Sequence, residues 1–257
     1  SITGSILGNI LLVLGMAMVA GGSKYKHQNF NKTAAMASAS TLVLATIALI
    51  IPALFAVSSP EHGPEVMDKL SLVVAILMII GYLSSLAFAL VTHKHLHSEE
   101  NEEERASHWS IRKSVLVLLA STVTVSLVSE LLVSRIEPIV ARFGWTELFI
   151  GVVFIALIGN AAEHSSAIVM AAKNRMGLSV NIAIGSATQI VIFVTPILVL
   201  ISLFFPEHMT LVFNSFELIA IALAVWITKA IIEDGESNWF DGVQLLLAYV
   251  MFAAGFY

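Results

Sequence analysis

Leu148-Phe149-Ile150-Gly151-Val152-Val153-Phe154-Ile155-Ala156-Leu157-Ile158-Gly159-Asn160-Ala161-Ala162-Glu163-His164-Ser165-Ser166 decides the reading of this chain. It is apolar up to Gly159 and then turns polar around a carboxylate, Glu163. About ten mostly small or apolar residues follow before the run ends. A carboxylate in the inner half of a membrane helix costs about 3 kcal/mol or more to insert, so it needs a function or a partner.

The surroundings favour a function. Asn160 and Glu163 are three residues apart and share a helix face. Gly159 allows the helix to break, and freed carbonyls in a break can act as ligands. The next apolar run carries Ser186 and Gln189, again three apart, and the first run carries Ser5 and Asn9. These are hard oxygen donors, and the chain has no cysteine. Oxygen without sulfur suits Ca²⁺ or Na⁺ better than zinc or copper. Ca²⁺ takes roughly six to eight oxygens, some of them charged, so Glu163 needs a second carboxylate beside it. His164 adjoins Glu163 but points about 100° away on a helix, where it can tune the carboxylate. Glu130 and Glu217 lie near the ends of other apolar runs, where they read as interfacial charge or as parts of a proton pathway.

Around this stretch the chain is built for a bilayer. Of its 257 residues 58% are hydrophobic and 12% charged, about half the charge of an ordinary soluble domain. Mean hydropathy is +0.90. The net charge of -5 gives no basic footprint for nucleic acid. A spanning helix needs about 20 apolar residues. Eight runs meet that length or approach it: 1–21, 33–57, 66–92, 113–133, 145–170, 178–205, 211–232 and 241–257. Pro and Gly clusters punctuate them, as at Pro60, Pro138, Gly177, Pro206 and Gly235. The expected fold is an all-α polytopic membrane protein. Alternate loops hold ten of the 13 Lys and Arg residues on one face, which is therefore expected to be cytoplasmic. Both chain ends then lie outside. Ser1 opens directly on an apolar run without a charged leader, which reads as a helix entered partway.

The longest polar segment, 93–112, separates a portion 1–92 from a portion 113–257. It carries His93, His95 and His97, then Ser98 and a run of glutamates. It reads as a solvated cytoplasmic linker. Ser98 as a cap would start a regulatory helix with its glutamates in the first turns. No Gly turn makes it an EF-hand loop.

A repeat links the two portions. Gly4-Ser5, followed by Asn9, recurs as Gly185-Ser186, followed by Gln189, at an offset of 181 residues. The first copy runs inward and the second outward, so the copies are inverted. Inverted repeats with a binding site at their interface are a mark of secondary transporters. The counterpart of Glu163 would fall upstream of Ser1.

Gly159-Asn160-Ala161-Ala162-Glu163-His164, with Gly185-Ser186-Ala187-Thr188-Gln189, resembles the second signature repeat of the calcium/proton exchanger (CAX) family. Ser1-Ile2-Thr3-Gly4-Ser5-Ile6-Leu7-Gly8-Asn9 is similar to the second half of the first repeat. The acidic segment falls where that family has an acidic helix, and Asp234-Gly235-Glu236-Ser237-Asn238-Trp239 looks like its sequence before the last helix. The resemblance covers nearly the whole chain and is nearest to bacterial members. It implies eleven helices, of which eight are represented here, in an inverted-repeat exchanger fold in the bacterial inner membrane.

The resemblance also implies Ca²⁺ export driven by proton entry, with no cofactor. Glu163 would be Ca²⁺ ligand and proton carrier. Asn160, Ser186, Gln189, Ser5 and Asn9 would be neutral oxygen ligands or their supports. Partners are then Ca²⁺, protons and lipid, and a homo-oligomer is compatible with the sequence. No phosphate-binding loop points to ATP as the driver. A sodium/calcium exchanger is the near rival, but that branch has Pro before the glutamate, where this chain has Ala162. A passive channel is the rival from another class. No His-Glu-x-x-His pair or Gly-x-Ser-x-Gly elbow supports a hydrolase.

Overall fold

The computed structural model describes residues 2–59, 63–93, 109–133, 135, 145–206 and 208–257. Ser98, the glutamate run, His95 and His97 lie outside these residues.

Eight helical segments follow the expected runs. They are α1 (Ile2–Gly22), α2 (Lys32–Ser58), α3 (Pro64–Ala87, continuing to Thr92), α4 (Ile111–Val133), a broken α5, α6 (Met176–Ser202), α7 (Ser215–Ile232) and α8 (Trp239–Phe256). Seven of them are long and apolar enough to cross a membrane. The other is α5, which the sequence expected as one span over 145–170. It is two pieces, α5a (147–159) and α5b (Ala161–Ala172), joined through a turn at Asn160. The reason is the local chemistry: Gly159 offers no side-chain constraint, and Asn160 takes φ -106 and ψ 15, outside the helical well.

The run expected at 211–232 becomes helical only at Ser215. Asn214 stops it from starting earlier. Its side chain accepts from the Phe216 N–H at 2.8 Å, and Glu217 accepts from the Asn214 N–H at 3.1 Å, a reciprocal cap. α8 begins with a matching pair, Asn238 and Asp241. Asn31 caps α2 through the Ala34 N–H at 3.1 Å.

Helix α1 is the hub. Ile6, Ile10, Leu11, Leu14 and Met18 are fully buried. It meets α8 where Gly15 faces Gly242: a Cβ on Gly242 would strike the Gly15 carbonyl and Val19. Small residues at such a crossing let two membrane helices approach until their backbones touch. At the other end of α1, Gly4 is pressed against the backbone of Val152 in α5a. α4 is different, exposed at each residue whose surface is described.

The two copies of the Gly-Ser repeat share a distortion that the sequence did not announce. The six residues Gly8–Val13 of α1 form a π-helical turn, and so do Ile190–Val194 of α6, as do Ile150–Ile155 of α5a and Phe88–Thr92 at the end of α3. The offset of 181 carries 8–13 onto 189–194, so the two in the repeat coincide within a residue. A π turn leaves carbonyls poorly matched to the helix ladder. Each of the two in the repeat has a threonine: Thr228 of α7 donates to Ile10 O at 3.3 Å, and Thr195 donates to Ile190 O at 2.8 Å.

At the end of the bundle where the basic loops gather, Gln28–Asn29 (β1) and Glu236–Ser237 (β2) form a two-stranded antiparallel clip, with Gln28 opposite Ser237. At the opposite end His208 meets Asp68 at 3.2 Å, and Ser71 accepts from the Leu211 N–H at 3.0 Å.

Candidate functional site

The turn at Asn160 places Glu163 in the first turn of α5b. Carboxylates are favoured there, because the first N–H groups of a helix are unpaired and carry partial positive charge. Its Oε2 accepts from the Ser186 hydroxyl at 2.6 Å. Ser186 in turn accepts from Asn9 Nδ2 at 3.2 Å. A serine has one proton to give. With Glu163 ionised that proton goes to the carboxylate, so the neighbour on the other side is a donor, the Asn9 amide with its nitrogen toward Ser186. Three helices, α1, α5b and α6, thus converge on one carboxylate oxygen, and Oε1 is left for other business.

Glu163 faces a cleft of about 440 Å³ lined also by Ser166, Asn181, Gly185, Ser186 and Gln189. Its wall carries a carboxylate, amides and hydroxyls, which suit a hydrated cation rather than an apolar ligand. Two of these residues, Asn181 and Ser166, were not anticipated. Their spacing could have found them. Ser166 lies three residues after Glu163, and Asn181, Gly185 and Gln189 lie four apart, so each set occupies one helix face.

Of the anticipated residues, Glu163, Ser186 and Asn9 are joined by hydrogen bonds and Gln189 lines the cleft. Asn160 stands at the break with its Nδ2 buried and without a partner among the described residues. Ser5 is half-buried, does not line the cleft and makes no side-chain hydrogen bond to a described residue. His164 is 5% exposed, is not part of the cleft wall, and has both ring nitrogens unpartnered among the described residues. Asn9 Oδ1 is likewise buried and without a partner among the described residues.

The two outlying carboxylates part company. Glu130 sits on the exposed surface of α4. Glu217 is built into the structure: besides capping α7, its Oε1 accepts from the buried Thr3 hydroxyl of α1 at 2.7 Å. No group of three or more His, Cys, Asp or Glu residues that could hold a metal occurs among the described residues. The cleft therefore offers one charged ligand and several neutral oxygens.

Comparison with known proteins follows the same lines. The family model described as sodium/calcium exchanger protein matches residues 1–91 and 113–257. The Ca(2+)/H(+) antiporter ChaA of Bacillus subtilis (strain 168) is 47% identical over 262 residues, covering all of this chain and 74% of the relative. The Ca(2+)/H(+) antiporter of Aphanothece halophytica is 40% identical over 273 residues, covering all of this chain and 73% of the relative. The solved structure of native YfkE superposes with a TM-score of 0.82 at 43% identity, over 99% of this chain and 73% of that one. The H+/Ca2+ exchanger CAX superposes with a TM-score of 0.68 at 19% identity, over 99% and 68%, a likeness of fold alone. The chain thus spans about three quarters of the length of its bacterial relatives, as one stretch of an inverted-repeat exchanger fold. It belongs to the sodium/calcium exchanger family of membrane transporters, and within it to the calcium/proton exchangers.

Proposed function

We propose that the protein exports Ca²⁺ in exchange for protons, by alternating access to a single intramembrane site centred on Glu163. The observation that carries this is the Asn9–Ser186–Glu163 chain of hydrogen bonds at a helix break, beside a cleft of neutral oxygens. An ionised Glu163, held by Ser186 through Oε2, presents Oε1 to a cation. A protonated Glu163 is neutral and has a proton where the cation was. Ca²⁺ and protons then compete for the same oxygens, and alternating exposure of the site couples their opposite fluxes.

One carboxylate balances half the charge of Ca²⁺. The inverted repeat supplies the rest in this reading, through a second carboxylate on the counterpart of α5b. The relatives, longer than this chain, have room for such a segment. In this reading the clip of β1 and β2 lies on the cytoplasmic side of a cell membrane and α1 starts outside, as the bias of Lys and Arg supports.

The test uses the full-length protein in proteoliposomes. ⁴⁵Ca²⁺ uptake should follow an imposed pH gradient, collapse with a protonophore, and vanish with Glu163→Gln. Uptake that follows a Na⁺ gradient instead would assign a sodium/calcium exchanger. Proton-driven uptake retained by Glu163→Gln would remove Glu163 from the site.

A further inference from the structure

We infer that Gln28 is a positioning residue for the cation site, acting through the far end of the half-helix that carries Glu163. The inference rests on the reading of Glu163 given above.

α5b ends in a Schellman turn. The Arg175 N–H reaches Met170 O at 3.0 Å, the Asn174 N–H reaches Ala171 O at 3.0 Å, and Asn174 has φ 61. The last carbonyls of a helix normally go to water. Here the loop after α1 takes them. Gln28 Nε2 donates to Ala171 O at 2.9 Å and to Asn174 Oδ1 at 3.0 Å, and Lys24 Nζ approaches Ala172 O at 3.4 Å. Gln28 is 2% exposed, and its side chain fills the space that a Cβ on Gly21 would need.

Two residues on, the same loop grips a second helix end. The Phe30 N–H donates to Gly235 O at 2.9 Å, and Gly235, at φ 84, lies in the turn that follows α7. The described residues contain two backbones with positive φ, Asn174 and Gly235, and residues 28–30 of the opposite half bind both. β1 and β2 lock this arrangement in register.

The mechanical consequence falls on Glu163. It lies eight residues from Ala171 on one helix, about 12 Å away. α5b packs along α1 and α6, and Gln28 adds a fixed point at its C-terminal end, from which the axial position of Glu163 is measured. A binding constellation must be held to within about 0.5 Å of its productive geometry to keep its affinity. Gln28 is the buried side chain that ties this end to α1, the helix that also supplies Asn9.

The experiment compares full-length wild type, Gln28→Ala, Asn174→Gly and the double variant in proteoliposomes. Asn174→Gly keeps the left-handed turn and removes only the Oδ1 contact, so it folds even where Gln28→Ala does not. Proton-driven ⁴⁵Ca²⁺ uptake is read as KM and kcat at several pH values. Each single variant should raise the KM for Ca²⁺, Gln28→Ala by about tenfold, with kcat nearly unchanged. The double variant should be no worse than Gln28→Ala, since the contact that Asn174→Gly removes is already lost when Gln28 is replaced. Unchanged KM and pH profile with a lowered melting temperature would reduce Gln28 to scaffolding and overturn the inference. So would additive effects in the double variant. Wild type that transports and Glu163→Gln that does not, with normal Gln28→Ala, refutes the positioning role alone. Inactive wild type refutes the exchanger reading and this inference together.

Discussion

Ser186 and Glu163 are joined by a 2.6 Å hydrogen bond whose donor is itself held in place by Asn9. Hydrogen bonds to a charged group contribute about 1.5–3 kcal/mol. Ser186→Ala should therefore weaken Ca²⁺ binding by about ten- to a hundredfold, read as the KM of proton-driven uptake. Ser186→Thr keeps the donor and should keep most of the affinity. Equal KM values for wild type and the alanine variant would take Ser186 out of the site.

Competition for one set of oxygens has a kinetic signature. The KM for Ca²⁺ should rise as the pH on the loading side falls, because protonated Glu163 is neutral. The maximal rate at saturating Ca²⁺ should change little. Initial rates on a grid of Ca²⁺ concentration and pH test this. A maximal rate that falls while KM stays constant would mean that the protons act elsewhere.

Glu217 is tied on both oxygens, to the Asn214 N–H and to Thr3. Loss of a helix cap costs about 1 kcal/mol, and loss of a hydrogen bond costs a similar amount. Glu217→Ala should lower the melting temperature in detergent by a few degrees. Thr3→Val should do part of the same damage, and the pair should be less than additive. The pH profile of transport should not move. A shifted profile would instead put Glu217 on the proton pathway.

The crossing of α1 and α8 leaves no room for a methyl group at Gly242. Gly242→Ala should cost about 1–3 kcal/mol, the range for overpacking a well-filled interior. Thermal melting of purified protein is the readout. An unchanged melting point would show that the helices part easily.

Gly4 and Gly185 are counterparts in the repeat, yet Gly4 is pressed on Val152 while Gly185 faces open space. Inverted symmetry demands a like contact at Gly185 from the counterpart of α5a. In the full-length protein Gly185→Ala should then disrupt folding about as severely as Gly4→Ala, by roughly 1–3 kcal/mol. Detergent-solubilised yield and melting temperature measure both. A harmless Gly185→Ala would break the symmetry argument.

Much of this was legible in one-dimensional terms. Apolar runs separated by Gly and Pro gave the helices, because bilayer thickness imposes their length. Glu163 stood out because a lone carboxylate in lipid is costly, and Gly159 allowed a break, though 145–170 read as one span and the turn itself falls at Asn160. The Gly-Ser pair located the partner helices. What stayed hidden depends on contacts without local pattern. Thr3 and Glu217 are 214 residues apart, and Gln28 and Asn174 are 146 apart. Gln28 sits in a polar loop that reads as solvated, and only the fold reveals that it is buried. The π turns escaped because an extra residue in a helical turn changes no hydropathy. Their signal, if any, is the nearby threonine that satisfies the displaced carbonyl.

The central place of α1 bears on how the protein is made. Asn9 finds Ser186 only after 177 further residues have been synthesised. At about 5–20 residues per second, that is a wait of roughly ten to thirty seconds. During it a helix with a polar middle must reside at the translocon or in lipid with its amide unmatched. Thr3 and Asn9 of α1 take their partners, Glu217 and Ser186, from the second portion of the chain, so these polar groups are matched only when that portion arrives.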